Sequence, residues 1–224
     1  MGVGRLNGSG SSRARFANGR MTAEVQAVLE STGAVVLIEG RRGLPAGLHD
    51  QLHAVGTWLA RSYPRAIFRS GNAEGSDTAF ADGVVSVDPA RMQYVLPSPG
   101  MGKKRRHPDS PVYSLSDVPK PVIEQLCDRS ADATPNNRRL AEAACGRIKS
   151  GYLAGRGRYL LRDTLKVVGS ASLELRPASL ALFYVDLTDT EAGGTGHTIR
   201  VCRQDSVPVV FQDRFLAWSS HART

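Results

Sequence analysis

The chain has 224 residues, of which 41% are hydrophobic, and this suffices for one generous domain with a core. No apolar run approaches the roughly 20 residues that span a membrane, and the N-terminus lacks a secretory signal, so we expect a cytoplasmic protein without a membrane partner. The net charge of +8 favours an anionic partner, but charge alone does not indicate a DNA-binding protein.

The cysteines and histidines predict no metal site. Cys127, Cys145 and Cys202 form no C-x-x-C pair, which argues against a disulfide framework or a zinc ribbon and favours reduced thiols. His49 and His53 have the spacing of a zinc-binding helix, but the glutamate of that motif and a third ligand are missing. We therefore predict neither a metal nor a cofactor.

The first half of the chain alternates helix and strand signals. Residues 1–21 are rich in Gly, Ser and Arg and are predicted to form a disordered basic tail. Residues 22–218 are predicted to form a single domain, followed by a short tail at 219–224. Apolar runs and periodic apolar residues predict strands at 34–39, 66–69 and 91–96 and helices at 22–31, 45–62 and 78–81, the last ended by Gly83.

A Pro-rich basic insertion is predicted at residues 97–150. Seven prolines punctuate this segment up to position 135, and Lys103–His107 is one continuous basic block. Only short helices are predicted, at 122–127 and 137–148. We interpret the segment as a lid-like excursion from the domain.

The last third returns to alternating elements, with helices predicted at 153–168 and 198–204 and strands at 179–186 and 207–211. Alternation of strands and helices is typical of an α/β fold. We predict a Rossmann-like three-layer sandwich with a mostly parallel sheet of about five strands.

Two glycine-rich stretches each follow a predicted strand and open a predicted helix, at residues 69–77 and 193–198. Such a turn brings free N–H groups close to an anion at the positive end of the helix dipole. Ligands of open α/β sheets sit outside the carboxyl ends of the strands, so both stretches are predicted to line one phosphate-binding crevice. Phosphate can accept hydrogen bonds or ion pairs from Ser76, Thr195, Thr198, Arg41, Arg42 and Arg69.

The order of these motifs resembles the SLOG superfamily of Rossmann-like nucleotide-binding proteins, which includes the lonely-guy phosphoribohydrolases and the DNA-processing protein A fold. The pattern is a strand running into Gly-x-Arg, then Arg-Ser-Gly-x-Ala-x-Gly-Ser-Asp-x-Ala-Phe, then Gly-Gly-Thr-Gly-His-Thr-Ile-Arg. The resemblance covers about residues 34–216 and is shared with bacterial and phage members. It implies a pocket lined by Gly40, Arg41, Arg42, Ser70, Gly71, Gly75, Ser76, Asp77, Gly193, Gly194, Thr195, Gly196, His197 and Thr198.

The chain departs from the phosphoribohydrolases at the residue that matters for hydrolysis. Those enzymes carry a Pro-Gly-Gly-x-Gly-Thr-x-x-Glu loop, whereas Arg200 and Val201 occupy the region of the glutamate here. A glycosidic hydrolase needs an acid or base near the leaving group, and Glu74, Asp77 and His197 are the candidates for that role. At a junction between loop and helix, Asp77 also suits a helix cap.

Three functions follow as hypotheses. The first is binding of a nucleotide or an ADP-ribose-like phosphate ligand, with the protein acting as a sensor. The second is hydrolysis of such a ligand, so the sequence leaves open whether the chain is an enzyme. The third is binding of single-stranded nucleic acid through weak contacts with Lys103–His107, although no aromatic residue is interleaved with that block. A homodimer is the default expectation.

Overall fold

The computed structural model describes residues 21–221, and within them six strands form one sheet. The strands are β1 (Val35–Gly40), β2 (Ile67–Ser70), β3 (Met92–Leu96), β4 (Val112–Ser114), β5 (Leu180–Tyr184) and β6 (Val209–Phe211). All neighbouring strands pair in parallel, in the order β4-β3-β2-β1-β5-β6. The α/β fold and its mostly parallel sheet are therefore confirmed, with one more strand than the sequence predicted.

Helices cover both faces of the sheet. They are α1 (Ala23–Glu30), α2 (Leu48–Ser62), α3 (Ser76–Val85), α4 (Lys120–Ala133), α5 (Arg138–Ala144), α6 (Gly151–Val168), α7 (Gly193–Gln204), α8 (Gln212–Phe215) and α9 (Trp218–His221). One core joins α1, α2, α3, α8 and α9 to the sheet, and two further clusters join α4, α5, α6 and α7 to the other face. The result is the predicted Rossmann-like three-layer sandwich.

The central strand shows why these sequences form a buried sheet. Every residue of β1 is buried, and its side chains alternate between the two cores: Val36 and Ile38 pack on one face and Leu37 on the other. A strand covered on both faces reads as a continuous apolar run, which is the pattern of this segment. The register of Val36 opposite Leu180 and of Val35 opposite Ile67 fixes the two neighbours of β1.

The sixth strand lies in the segment predicted as an insertion. Residues 112–114 pair with β3 at the sheet edge, and α4 and α5 from the same segment pack in the layer of α6. A three-residue strand that directly follows Pro111 offers too short a pattern for recognition by alternation.

Gly83 was wrongly predicted to end the third helix, since α3 continues to Val85. The glycine serves close packing instead: a Cβ at this position would lie 2.1 Å from the carbonyl oxygen of His53 in α2. Gly56 makes the reciprocal approach, with its virtual Cβ 2.4 Å from the oxygen of Phe80. Glycines at both contacts let the two backbones come together.

Most of the two predicted tails, at residues 1–21 and 219–224, cannot be compared with the structure. Residues 1–20 and 222–224, which hold most of the two predicted tails, lie outside the described residues, while α9 includes residues 219–221. Across residues 21–221, no helix is both long and apolar enough to cross a membrane.

Candidate functional site

A crevice opens at the carboxyl ends of β1 and β5, where the order of the strands reverses. From β1 the sheet grows through β2 and β3 to β4, whereas β5 and β6 lie on the other side of β1. Such a topological switch point is where doubly wound sheets bind ligands. The crevice consists of two adjoining cavities of about 370 and 190 Å³, which share Arg42, Ala73, Tyr159 and Arg162 in their walls.

The crevice brings together part of the predicted site. The larger cavity is lined by Gly40, Arg41, Arg42, Asp77, Gly193, Gly194 and Thr195, and the smaller by Arg42, Gly71 and Glu74. The remaining predicted residues line neither cavity: Arg69, Ser70, Gly75, Ser76, Gly196, His197 and Thr198. Most of these hold the surrounding loops in place.

Gly75 and Ser76 join the loop after β2 to the loop after β1. The Ser76 hydroxyl and amide both donate to the carbonyl oxygen of Arg41, at 2.9 and 3.2 Å. Gly75 has φ +84°, and a Cβ there would lie 2.1 Å from the oxygen of Arg42. These residues therefore orient Arg41 and Arg42, whose side chains are exposed at the mouth of the crevice.

Asp77 is buried at the start of α3, where its carboxylate accepts three hydrogen bonds. Oδ1 accepts from the Gly40 amide at 3.2 Å, and Oδ2 accepts from the Ser70 hydroxyl at 3.0 Å and from the Ala73 amide at 3.3 Å. Burial raises the pKa of this carboxyl, against the attraction of the nearby cations. Asp77 thus joins the loop after β1 to the loop after β2. It does not form the helix cap that the sequence suggested, because Gly75 is the N-cap residue of α3 and has no side-chain hydrogen bond.

Arg69 lies in the interior of the protein. Its guanidinium is fully buried and donates through Nε and Nη2 to Gln93 Oε1, at 3.0 and 2.9 Å, and through Nη1 to the Lys166 carbonyl at 2.7 Å. Burial lowers its pKa to about 10, so the group stays charged at neutral pH. All three nitrogens are engaged within the fold, in contrast to the phosphate-pairing role predicted for this side chain.

The second glycine-rich stretch is the first turn of α7, which begins at Gly193. The sequence placed this stretch in a loop and started the helix at residue 198. Ala192 at the N-cap supplies no side-chain hydrogen bond, and Gly193 and Gly194 are exposed. The Thr195 hydroxyl donates to the Gly40 carbonyl at 3.3 Å and joins this turn to β1. The uncapped end of α7 therefore faces the larger cavity.

His197 and Thr198 point into the protein from the next turn of α7. The His197 ring is fully buried, with Nδ1 2.7 Å from Thr134 Oγ1 and Nε2 3.0 Å from Thr164 Oγ1. Burial lowers its pKa, which favours the neutral ring. The Thr198 hydroxyl donates to the Gly194 carbonyl one turn earlier. Both side chains stabilise the packing of α7, and neither reaches the crevice.

Glu74, the remaining predicted catalytic residue, lies at the exposed rim of the smaller cavity. Its Oε1 forms an ion pair with Arg105 Nη1 at 3.0 Å. This pair links the loop after β2 to the basic block, which the connection between β3 and β4 brings to the same rim. The Asn72 side chain adds a second link, because its Nδ2 donates to the Gly102 carbonyl at 3.0 Å.

The floor of the larger cavity holds a cluster of buried charges from α6 and β1. Lys166 Nζ forms ion pairs with Glu39 Oε1 and, at 2.7 Å, with Asp163 Oδ1. Arg162 Nε lies 3.1 Å from the same Asp163 oxygen, and the Arg162 guanidinium packs over the Tyr159 ring at 5.8 Å. Glu39, Arg162, Asp163 and Lys166 are all less than 10% exposed.

The carboxylates of this cluster titrate differently. Burial raises the pKa of Glu39 to about 7, although Lys166 opposes the effect. Burial acts in the same direction on Asp163, but the charges of Arg162 and Lys166 outweigh it and hold the Asp163 pKa below its usual value. At neutral pH the floor of the cavity therefore holds an ionised Asp163 and a Glu39 that is protonated in part of the molecules.

Sequence reasoning missed this cluster, although signals for it were present. Glu39 is a charged residue at the end of an otherwise apolar strand, and Arg162, Asp163 and Lys166 interrupt the apolar run of α6. Charged side chains are almost never fully buried unless they are paired. In α6, Arg162, Asp163 and Lys166 stand between apolar residues that face the core, and this pattern could have indicated a buried cluster of charges.

The fold and the crevice define a doubly wound α/β protein with an open cavity at its topological switch point. No family model matches the chain, and no curated protein matches it. A solved structure of DNA processing protein A from Helicobacter pylori, described for its single-stranded DNA binding mode, is similar with a TM-score of 0.46 and 15% sequence identity. The match covers 83% of this chain and 67% of that one.

Proposed function

We propose that the crevice binds a nucleotide or an ADP-ribose-like ligand, with a phosphate between the first turn of α7 and Arg162. The observation that carries this proposal is the Arg162 guanidinium. It is 7% exposed and lines both cavities, and its Nη1 is buried without a hydrogen-bond acceptor among residues 21–221. A buried guanidinium nitrogen without an acceptor is costly, and an anion in the crevice would supply one.

The uncapped end of α7 supports the same anion. The first amides of a helix lack partners within it, and the helix dipole is positive at that end. Gly194 leaves the approach open, since the nearest atom to a virtual Cβ there is Asp163 Oδ2, at 3.6 Å. Arg41 and Arg42 add two cations at the mouth of the crevice.

The shape of the crevice favours a ligand larger than inorganic phosphate. The two cavities meet at Tyr159, a residue that is 39% exposed and whose ring offers an aromatic surface for a base. Their combined size lies within the range of small-molecule sites. The resemblance to the SLOG superfamily, which rests on sequence motifs, points to the same class of ligand.

A thermal-shift panel on the full chain tests the proposal. The panel contains AMP, ADP, ATP, GMP, NAD, ADP-ribose, cyclic nucleotides and inorganic phosphate. Because a ligand that binds only the native state stabilises it, we expect at least one nucleotide to raise Tm by about 5 °C or more at 100 times its Kd. Gly194→Asp should abolish this shift, since its carboxylate would lie beside Asp163 and at the helix end that the phosphate needs.

Gly194→Ala is the matched control for this experiment. It also removes the glycine, but its methyl group meets only ordinary van der Waals contact and carries no charge, so the shift should persist. A panel in which no nucleotide raises Tm would overturn the proposal, as would a shift that survives Gly194→Asp. Chromatography of the incubated nucleotides distinguishes binding from turnover, because release of base or phosphate would establish the hydrolytic alternative.

Single-stranded nucleic acid is the second candidate, and the exposed tyrosines of α6 favour it. Tyr152 and Tyr159, two turns apart, are 74% and 39% exposed, and an arginine packs over each ring at 5.8 Å. Lys103 and Lys104 are exposed near the rim that Tyr159 shares. Aromatic faces beside a basic surface are the usual platform for stacking bases, and the fold supplies a combination that the basic block lacks in sequence.

Tyr152→Ala tests the second candidate, because Tyr152 lies outside the walls of both cavities. If a base stacks on this ring, the Kd for a fluorescent single-stranded oligonucleotide should rise about 5- to 100-fold. Tyr152→Phe, which keeps the aromatic face, should bind like the unchanged protein. Replacing Lys103 and Lys104 together by alanine should reduce the slope of log K against log salt by about 1.4. Equal affinity of Tyr152→Ala and the unchanged protein would exclude the tyrosine platform.

A further inference from the structure

Two cysteines that are distant in sequence meet on the helical layer that carries α6. Cys145 Sγ lies 2.9 Å from Cys127 Sγ and 3.3 Å from the Glu142 carbonyl oxygen, so its single proton can be donated to either partner. A disulfide bond measures about 2.05 Å, so the two sulfurs need to approach by only about 0.9 Å. Cys202, the third cysteine, is a buried residue of α7 and belongs to a separate core cluster.

The two sulfurs differ in their access to solvent. Cys127 lies in the middle of α4 and is fully buried in the core that joins α4, α5 and α6. Cys145 follows the last residue of α5 and is partly exposed. Burial and the neighbouring Cys145 thiol raise the pKa of Cys127 to about 12, against which the Arg147 charge acts. An oxidant from solvent therefore meets Cys145 first.

We propose that Cys127 and Cys145 form a dithiol site that a hydroperoxide oxidises to an intramolecular disulfide. In the first step, Cys145 Sγ attacks the peroxide, the O–O bond breaks, and the leaving oxygen takes the thiol proton. Cys145 is then a sulfenic acid. In the second step, Cys127 Sγ attacks this sulfur, the S–S bond forms and the S–O bond breaks, and hydroxide leaves as water with the Cys127 proton. Two thiols thereby supply the two electrons that reduce one hydroperoxide.

The disulfide would tie α4 to the end of α5 across 18 sequence positions. These elements contact the helix that carries the buried charges: a Cβ at Gly157 of α6 would lie 1.8 Å from the Leu140 carbonyl oxygen of α5. Closing a loop of this length restricts the unfolded chain and stabilises the folded one. The oxidised protein should therefore be more stable than the reduced protein, whatever the crevice binds.

Oxidation of the reduced full chain by equimolar hydrogen peroxide tests the site. Under denaturing conditions, a thiol assay should find three thiols before treatment and one afterwards. Trypsin digestion without reductant should give one cross-linked product that joins peptides 107–129 and 140–147. The Tm should rise by about 5 °C or more and return on addition of dithiothreitol.

Two variants separate this site from general oxidation. Cys145→Ser and Cys145→Ala, both at a partly exposed position, should keep their two remaining thiols and show no rise in Tm. Three outcomes would overturn the proposal: all three thiols surviving peroxide, a cross-link that includes Cys202 or a second chain, or oxidation of Cys145 to the sulfinic acid without a link to Cys127.

Discussion

Replacing Arg69 by methionine should lower the free energy of unfolding by about 2–4 kcal/mol. The guanidinium is fully buried and bridges β2, β3 and α6, because it donates to Gln93 Oε1 and to the Lys166 carbonyl. Methionine fills much of the volume but leaves both acceptors without a donor in a place that water does not reach. Urea unfolding of the variant and the unchanged protein at pH 7 measures the difference.

Two further variants test the explanation for Arg69. Arg61→Met changes the same residue type at an exposed position and should stay within about 0.5 kcal/mol of the unchanged protein. Adding Gln93→Leu to Arg69→Met removes one of the stranded acceptors and should recover part of the loss. Equal stability of Arg69→Met and the unchanged protein would show that the bridge contributes nothing to the fold.

Most of the fold could be predicted from the sequence because the central strands are buried on both faces and are therefore rich in apolar residues. β1 and β5 are largely apolar, β2 begins in a short apolar run, and β3 carries one polar residue among apolar ones; each of these strands was predicted within one or two residues. β4 was missed because three residues after a proline have no detectable period. Its position depends on pairing with β3 across the sheet, which no local pattern records.

The candidate site likewise has parts with a local sequence signature, which could be predicted, and parts that depend on tertiary packing, which could not. The loops that end β1 and β2 and a glycine-rich stretch after β5 were predicted, because a turn between a parallel strand and a helix has a sequence signature. The prediction placed that last stretch in a loop, whereas it forms the first turn of α7. The floor of the crevice was not predicted, because it depends on how α6 crosses the sheet. Only that crossing brings Lys166 against Glu39, 127 residues earlier in the chain.

Arg69, which was predicted to pair with phosphate, and His197, which was a predicted catalytic candidate, lie inside the protein for a related reason. Arg69 and His197 belong to motifs that the sequence placed at the crevice, yet both side chains point into the core. Arg69 faces α6 because strand residues alternate between the two faces of the sheet. His197 faces Thr134 and Thr164 because α7 already begins at Gly193, which places residue 197 in the second turn of the helix, inside the fold, and not in the turn that lines the cavity.

Glu39→Gln should flatten the dependence of stability on pH between about 5 and 7. Burial raises the pKa of the Glu39 carboxyl to about 7, whereas in the unfolded chain it stays near 4.5. Below pH 4.5 the carboxyl is protonated in both the folded and the unfolded state, so its titration does not change the free energy of unfolding. As pH rises toward 7 the unfolded chain releases this proton first, so the free energy of unfolding falls by an amount on the order of 3 kcal/mol.

Urea unfolding at pH 5, 6, 7 and 8 measures the Glu39 effect as the difference between the variant and the unchanged protein. Because the charges of Lys166, Asp77 and Asp163 act on the Glu39 carboxyl, this difference measures the titration of Glu39 within the cluster. Relative to the unchanged protein, Glu39→Gln should gain stability as pH rises to 7 and gain no more above it. Glu74→Gln, which removes an exposed carboxylate paired with Arg105, should change the free energy of unfolding by less than about 1 kcal/mol. If the Glu39→Gln profile runs parallel to that of the unchanged protein, the buried carboxyl keeps its ordinary pKa, and the crevice floor holds a permanently ionised glutamate beside Lys166.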